Sequence, residues 1–163
     1  MAKTEQLQLR LSSTQKENIK NLAALAGDDV STWVLRKLLP PEADLFQRLI
    51  NNLAAAEPPL SNRLADIHDF LHSLSNQGLV AGVHSADLKR LDAFESNYLA
   101  AMVETACTSK HVPYPDWSRA IKPLTSPWFA SQLKNLRLHL LTSSPPPFRR
   151  RNLFVDSTLG ARV

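Results

Sequence analysis

The six residues Gln6-Leu7-Gln8-Leu9-Arg10-Leu11 constrain the fold more than any other stretch of this chain. Leu7, Leu9 and Leu11 alternate with Gln6, Gln8 and Arg10, a period of two that puts leucines on one face of a strand and polar groups on the other. A lone strand can neither bury three leucines nor satisfy its own backbone N–H and C=O groups. The helical stretches that follow offer it no partner. A second copy of the chain meets both needs, because two such strands can pair as an antiparallel ribbon across a dimer axis. The outer face of that ribbon then carries two carboxamides and a guanidinium, the groups that make paired hydrogen bonds to adenine and guanine edges in a DNA major groove.

The next thirty residues fit this reading. Ser12 and Gln15 have capping-box spacing, so a helix is expected to start after Ser12. Ile19, Leu22, Ala23 and Ala26 recur at helical spacing, and Gly27 is the natural stop. Asp28 and Asp29 are cap candidates for a second helix from about Val30 to Leu39, with Trp33, Val34 and Leu38 inward, ended by Pro40-Pro41. Strand, helix, short turn and helix in this order resemble the ribbon-helix-helix (Arc/MetJ-type) family of DNA-binding proteins.

The resemblance covers residues 4–39 and implies roles for several of them. Gln6, Gln8 and Arg10 take the family's three base-contacting positions, and Val30 and Ser31 take the place where backbone N–H groups grip a phosphate. Asp28 and Asp29 depart from that pattern, because negative charge beside a phosphate site repels DNA. Lys3, Lys16 and Lys20 are candidate phosphate contacts. Leu7, Leu9, Leu11, Ile19, Leu22, Trp33, Val34 and Leu38 are the expected dimer core.

Charge divides the remainder. Residues 1–40 hold six Lys/Arg against four Asp/Glu, residues 41–110 five against nine, and residues 111–163 eight against two. A basic head, an acidic middle and a basic tail permit nucleic-acid binding without establishing it. Scarce glycine, four residues, and abundant Ala and Leu favour helices. Cys107 is the one cysteine, which excludes an intrachain disulfide and reads as a small buried apolar residue. No signal sequence opens the chain and no apolar run approaches the 18 residues or so of a membrane span, so a cytoplasmic protein without a membrane partner is expected.

The middle, residues 41–110, reads as a helical body. One helix is expected over Glu42–Ala56 with Leu45, Leu49, Ile50 and Leu53 inward, and another from Ser61 to about Ser75 with Leu64, Ile67, Leu71 and Leu74 as its stripe. A loop with Gly78 and Gly82 follows over residues 77–84, then the longest helix, Ser85 to about Thr108. Residues 111–163 contain seven of the eleven prolines and read as a partner-binding extension. A short helix is expected over Ser131–Leu141 with Leu133, Leu136 and Leu140 inward. Pro145-Pro146-Pro147 reads as an extended spacer, and Arg149-Arg150-Arg151 leads into a short strand. The arginines admit a solvated edge, a contact for an acidic protein partner, or an extra nucleic-acid contact. Trp128, Phe129, Phe148, Arg149, Arg150, Arg151 and Phe154 are the candidate partner-binding set.

Catalytic chemistry is poorly represented. His68 and His72 stand four residues apart on a helix, the spacing of two zinc ligands, with Asp69 where a zincin has Glu. A third ligand at family spacing is missing, the shorter Asp would sit farther from a metal-bound water, and both histidines read more simply as polar edges of the Ile67/Leu71 stripe. Neither a phosphate-binding glycine loop nor a nucleophile elbow is present, so no enzyme, metal or cofactor is expected. The expectation is a mainly α protein: a ribbon-helix-helix domain (1–40), a helical body (41–110) and a Pro/Arg-rich extended tail with a short strand (111–163). Its expected role is a homodimeric repressor that binds operator DNA. It resembles antitoxins of toxin–antitoxin pairs, whose head binds the operator and whose extension occludes the toxin. The alternative is an interaction module without DNA binding, whose strand adds to a partner's sheet edge.

Overall fold

A computed structural model describes residues 8, 10–38 and 41–156. The chain is mainly helical and divides into two compact units, Met1–Leu39 and Pro40–Val163.

In unit 1, α1 (Ser13–Leu25) starts where its capping box dictates. The Ser12 hydroxyl accepts from the Gln15 amide at 3.2 Å, and the Gln15 carboxamide oxygen accepts from the Ser12 amide at 2.9 Å. It stops at Gly27, whose φ of +73° suits a residue without Cβ. There the Gly27 amide donates to the Ala24 carbonyl at 3.1 Å and the Asp28 amide to the Ala23 carbonyl at 3.0 Å, a Schellman closure. α2 (Val30–Leu38) is capped by Asp29, which accepts from the Thr32 amide at 3.0 Å and the Thr32 hydroxyl at 2.5 Å. The two helices pack on each other around Ala23, while Ile19, Trp33 and Val34 are half-buried.

Unit 2 is organised on α6 (Ala93–Ser109), which is buried along most of its length from Asn97 to Cys107. Packed on it are α4 (Leu60–Ser73), α7 (Asp116–Ala120) and α9 (Pro146–Arg149). α3 (Pro41–Leu53) lies against α4 and α5 (Asn76–Gly82). One core unites Phe46, Ile50, Ile67, Leu71, Leu79 and Leu99 with Phe148, Leu153 and Val155 from the C-terminal part. β1 (Trp128–Phe129) pairs in parallel with β2 (Leu153–Phe154), Trp128 opposite Leu153 and Phe129 opposite Phe154. Between them in the chain come α8 (Lys134–Ser143) and α9.

Several expectations need correction. Residues 77–82 of the expected loop are helical, leaving only Val83 and His84 outside α5: the Ser75 hydroxyl caps α5 by accepting from the Gly78 amide at 3.1 Å. Gly82 serves a close approach of α3 rather than a turn, since a Cβ there would meet Glu42 Cβ at 3.0 Å. The longest helix starts at Ala93 and not at Ser85, because Asp92 and Glu95 form a reciprocal capping box at 2.7 and 3.1 Å. In α3, Ile50 and Leu53 are buried and Leu49 packs on the core as expected, but Phe46 takes the inward place expected of Leu45, which is exposed. In α8 only Leu140 is buried, while Leu133 and Leu136, expected inward, are exposed.

The tail expectation changes most. Pro145-Pro146-Pro147 is not an extended spacer: Pro145 is the N-cap and Pro146 opens α9, where a missing N–H costs nothing. Residues 111–156 are also no separate extension, because Phe148, Leu153 and Val155 complete the core of the helical body. Burying those side chains and pairing Arg151 inside unit 2 outweighs leaving the segment in solvent.

Candidate nucleic-acid interface

Of the residues expected to read bases, Gln8 and Arg10 are exposed just ahead of the capped start of α1 and lie in neither helix nor strand, so the strand expected over residues 6–11 is not formed at either within one chain. Gln6, Lys3, Leu7 and Leu9 lie outside the described residues. Lys16 and Lys20 follow on α1, four residues apart on one side and both exposed. The cap fixes where α1 begins and therefore where Lys16 and Lys20 follow Arg10 in the chain.

Val30 and Ser31 are exposed at the first turn of α2. The Asp29 carboxylate already occupies that helix end through its two bonds to Thr32. A carboxylate there takes the favourable interaction with the helix dipole that a phosphate would need, and it repels the phosphate. The sequence-level objection to a phosphate clamp at Val30 and Ser31 thus acquires a geometric basis.

The expected dimer core is unevenly covered within one chain. Ile19, Trp33 and Val34 are half-buried, but Leu22 is 48% and Leu38 60% exposed, and Leu11, Leu25, Val30 and Leu35 are exposed too. Among the described residues of unit 1, Ala23 is the one buried side chain. A two-helix unit of this size has too little surface to bury its own leucines.

The candidate partner-binding set is split by the fold. Arg151 is interior: Nη2 donates to Glu104 Oε1 at 2.6 Å and to the Ser118 carbonyl at 2.7 Å, and Nη1 to Asn97 Oδ1 at 3.3 Å. Phe148 is buried edge-on to Tyr98 with ring centres 5.2 Å apart, and Phe154 is buried with Phe129 stacked on it at 4.9 Å. Phe148, Arg151 and Phe154 are therefore structural, the reverse of their expected role at a partner surface. Trp128 is at the surface but rests on Phe94 with ring centres 4.9 Å apart. Arg149 and Arg150 remain exposed, with Arg150 lying 5.9 Å from the Tyr114 ring centre. The signal missed in the sequence is Glu104, a lone carboxylate in the apolar run of α6, which calls for a buried cation from elsewhere.

Other chemically suggestive groups have ordinary surroundings. The His68 and His72 rings lie with centroids 4.2 Å apart, and His72 is held below the usual histidine range by burial first, then by His68 and Lys110. Among the described residues no three His, Cys, Asp or Glu side chains converge in a way that could hold a metal. Cys107 is buried, and that burial with Glu104 nearby pushes its thiol up to about 11, which removes it as a nucleophile at neutral pH. Among the described residues no helix is long and apolar enough to cross a membrane.

Family models, curated proteins and solved structures yield no match to this chain.

Proposed function

We propose that unit 1 is one half of a dimeric ribbon-helix-helix head that binds DNA in a sequence-specific manner, and that unit 2 serves a protein partner. The observation that carries this reading is the hairpin of α1 and α2, capped at Ser12, Gly27 and Asp29, with Gln8 and Arg10 exposed ahead of it and leucines uncovered on it. A second copy would cover those leucines, and two paired strands would set Gln6, Gln8 and Arg10 of each chain in the major groove. Gln6 and Gln8 suit adenine, and Arg10 suits guanine. The protein would then act as a repressor. Two separate units also suit an antitoxin, in which a DNA-binding head is joined to a part that engages the toxin.

The test is a mobility shift against the DNA upstream of its own gene. Arg10→Ala is expected to cost about 1–3 kcal/mol on the specific site and much less on random DNA. Equal losses on both would remove Arg10 from base readout. Leu9→Arg is expected to dissolve the dimer in sedimentation, and a folded dimeric variant would refute the ribbon. A second reading, an interaction module without DNA binding, draws its support from the Asp29 carboxylate at the α2 terminus. It predicts no shift on any duplex at low salt.

A further inference from the structure

α8 is attached to unit 2 by little of its own surface. Leu140 is its one buried side chain, and at its C-terminal end the Ser144 hydroxyl donates to the Val155 carbonyl at 2.7 Å while accepting from the Val155 amide at 2.9 Å. The other leucines of the helix, Leu136, Leu138 and Leu141, are 42–72% exposed. Lys134, Arg137, Leu138 and Leu141 follow the i, i+3, i+4, i+7 rule, so they form a single stripe, and all four are exposed. Arg137 is pre-positioned, its guanidinium lying 5.1 Å from the Phe129 ring centre.

The segment that carries this stripe is basic. From Trp117 to Val155 the chain has seven Lys/Arg and no Asp or Glu. All of these cations except Arg151 are exposed. His139 pairs with Asp156 at 3.6 Å, but His139 is off the stripe.

We propose that the α8 stripe of Lys134, Arg137, Leu138 and Leu141 docks an acidic amphipathic helical segment of a protein partner. Two cations followed along one helix face by two leucines ask for carboxylates followed by apolar side chains. A membrane-surface helix segregates its charges to the face opposite its apolar residues. Here the cations share the stripe with the leucines, so inserting Leu138 and Leu141 would turn Lys134 and Arg137 toward the acyl boundary and oblige both to snorkel back to the headgroups. A polynucleotide would use the cations but leave both leucines against phosphate. An acidic protein helix satisfies both kinds of group. This inference rests on the partner half of the reading above and is independent of the DNA half.

The test uses full-length protein and a labelled Leu/Glu amphipathic peptide of about 20 residues, long enough to hold a helix, with a Leu/Lys counterpart, read by fluorescence anisotropy. The Leu/Glu peptide is expected to bind and the Leu/Lys peptide not. Leu138→Asp with Leu141→Asp should weaken binding about tenfold or more, the share a single hot-spot residue can carry. Lys134→Glu with Arg137→Glu should lose the Leu/Glu peptide and gain the Leu/Lys one, a swap that a misfolded variant could not produce. No binding at millimolar Leu/Glu peptide, equal binding of both peptides, or indifference to both double variants overturns the proposal. So does α8-dependent binding to phosphatidylserine vesicles or duplex DNA without peptide binding. The operator shift of the α8 variants, which should stay unchanged, keeps failure here apart from failure of the DNA reading.

Discussion

Replacing Arg151 by Met tests whether a buried guanidinium locks the C-terminal part of unit 2 onto its helices. The substitution keeps most of the apolar stem and removes three hydrogen bonds, to Glu104, the Ser118 carbonyl and Asn97. Both members of the ion pair are only 6% exposed, so water cannot compensate for the lost partner. Removing one member of such a pair strands a buried charge and costs about 3–5 kcal/mol. Against a typical domain stability of about 5–15 kcal/mol, that is a large fraction. Glu104→Leu alone should cost a similar amount by stranding Arg151. The double variant, Arg151→Met with Glu104→Leu, buries no charge. It should be destabilised only by about 1–3 kcal/mol, for the Ser118 carbonyl and Asn97 amide left without their donor. Urea unfolding followed by far-UV circular dichroism measures the full cycle. A loss below about 1 kcal/mol in Arg151→Met, or a double variant as costly as the two singles added, would refute the locking argument.

Other perturbations follow from the same contacts. Ser12→Ala removes one arm of the α1 capping box and should destabilise that helix by about 1 kcal/mol; unchanged thermal unfolding of unit 1 would show that the cap is dispensable. Because the His72 pKa is lowered on folding, the unfolded chain binds its proton first. Stability is therefore complete above the unfolded value of 6.5 and falls as the pH drops from there toward the folded value, and His72→Gln should flatten that part of the pH profile. The Cys107 thiol, raised to about 11 from 9.0, contributes in the opposite direction: stability present below pH 9.0 should be lost as the pH climbs toward 11, and Cys107→Ala should abolish this loss. Lys20→Ala should reduce the salt dependence of DNA binding by about one counterion, and an unchanged slope would exclude the phosphate contact.

What the sequence by itself determined here is local. The Ser12/Gln15 box, the glycine stop at Gly27 and the carboxylate before Val30 set the ends of α1 and α2, because each signal acts through hydrogen bonds spanning three to five residues. The Asp92/Glu95 box was equally readable, yet Leu88 and Leu91 continue the helical spacing upstream and obscured it. The inward face of α4 followed directly from period, with Ile67 and Leu71 buried as spaced. Tertiary structure alone decided the rest. Gly82 looks like a loop residue until α3 approaches so closely that an added Cβ would meet Glu42 Cβ at 3.0 Å. Arg149, Arg150 and Arg151 are equivalent as text, and among the described residues only the third meets a carboxylate, 47 positions away in the chain. Likewise α8 leaves leucines exposed that its period would turn inward, because unit 2 offers a buried seat only to Leu140. Capping is settled by neighbours in sequence. Burial depends on which distant surfaces arrive, and among the leucines of α8 only Leu140 meets one.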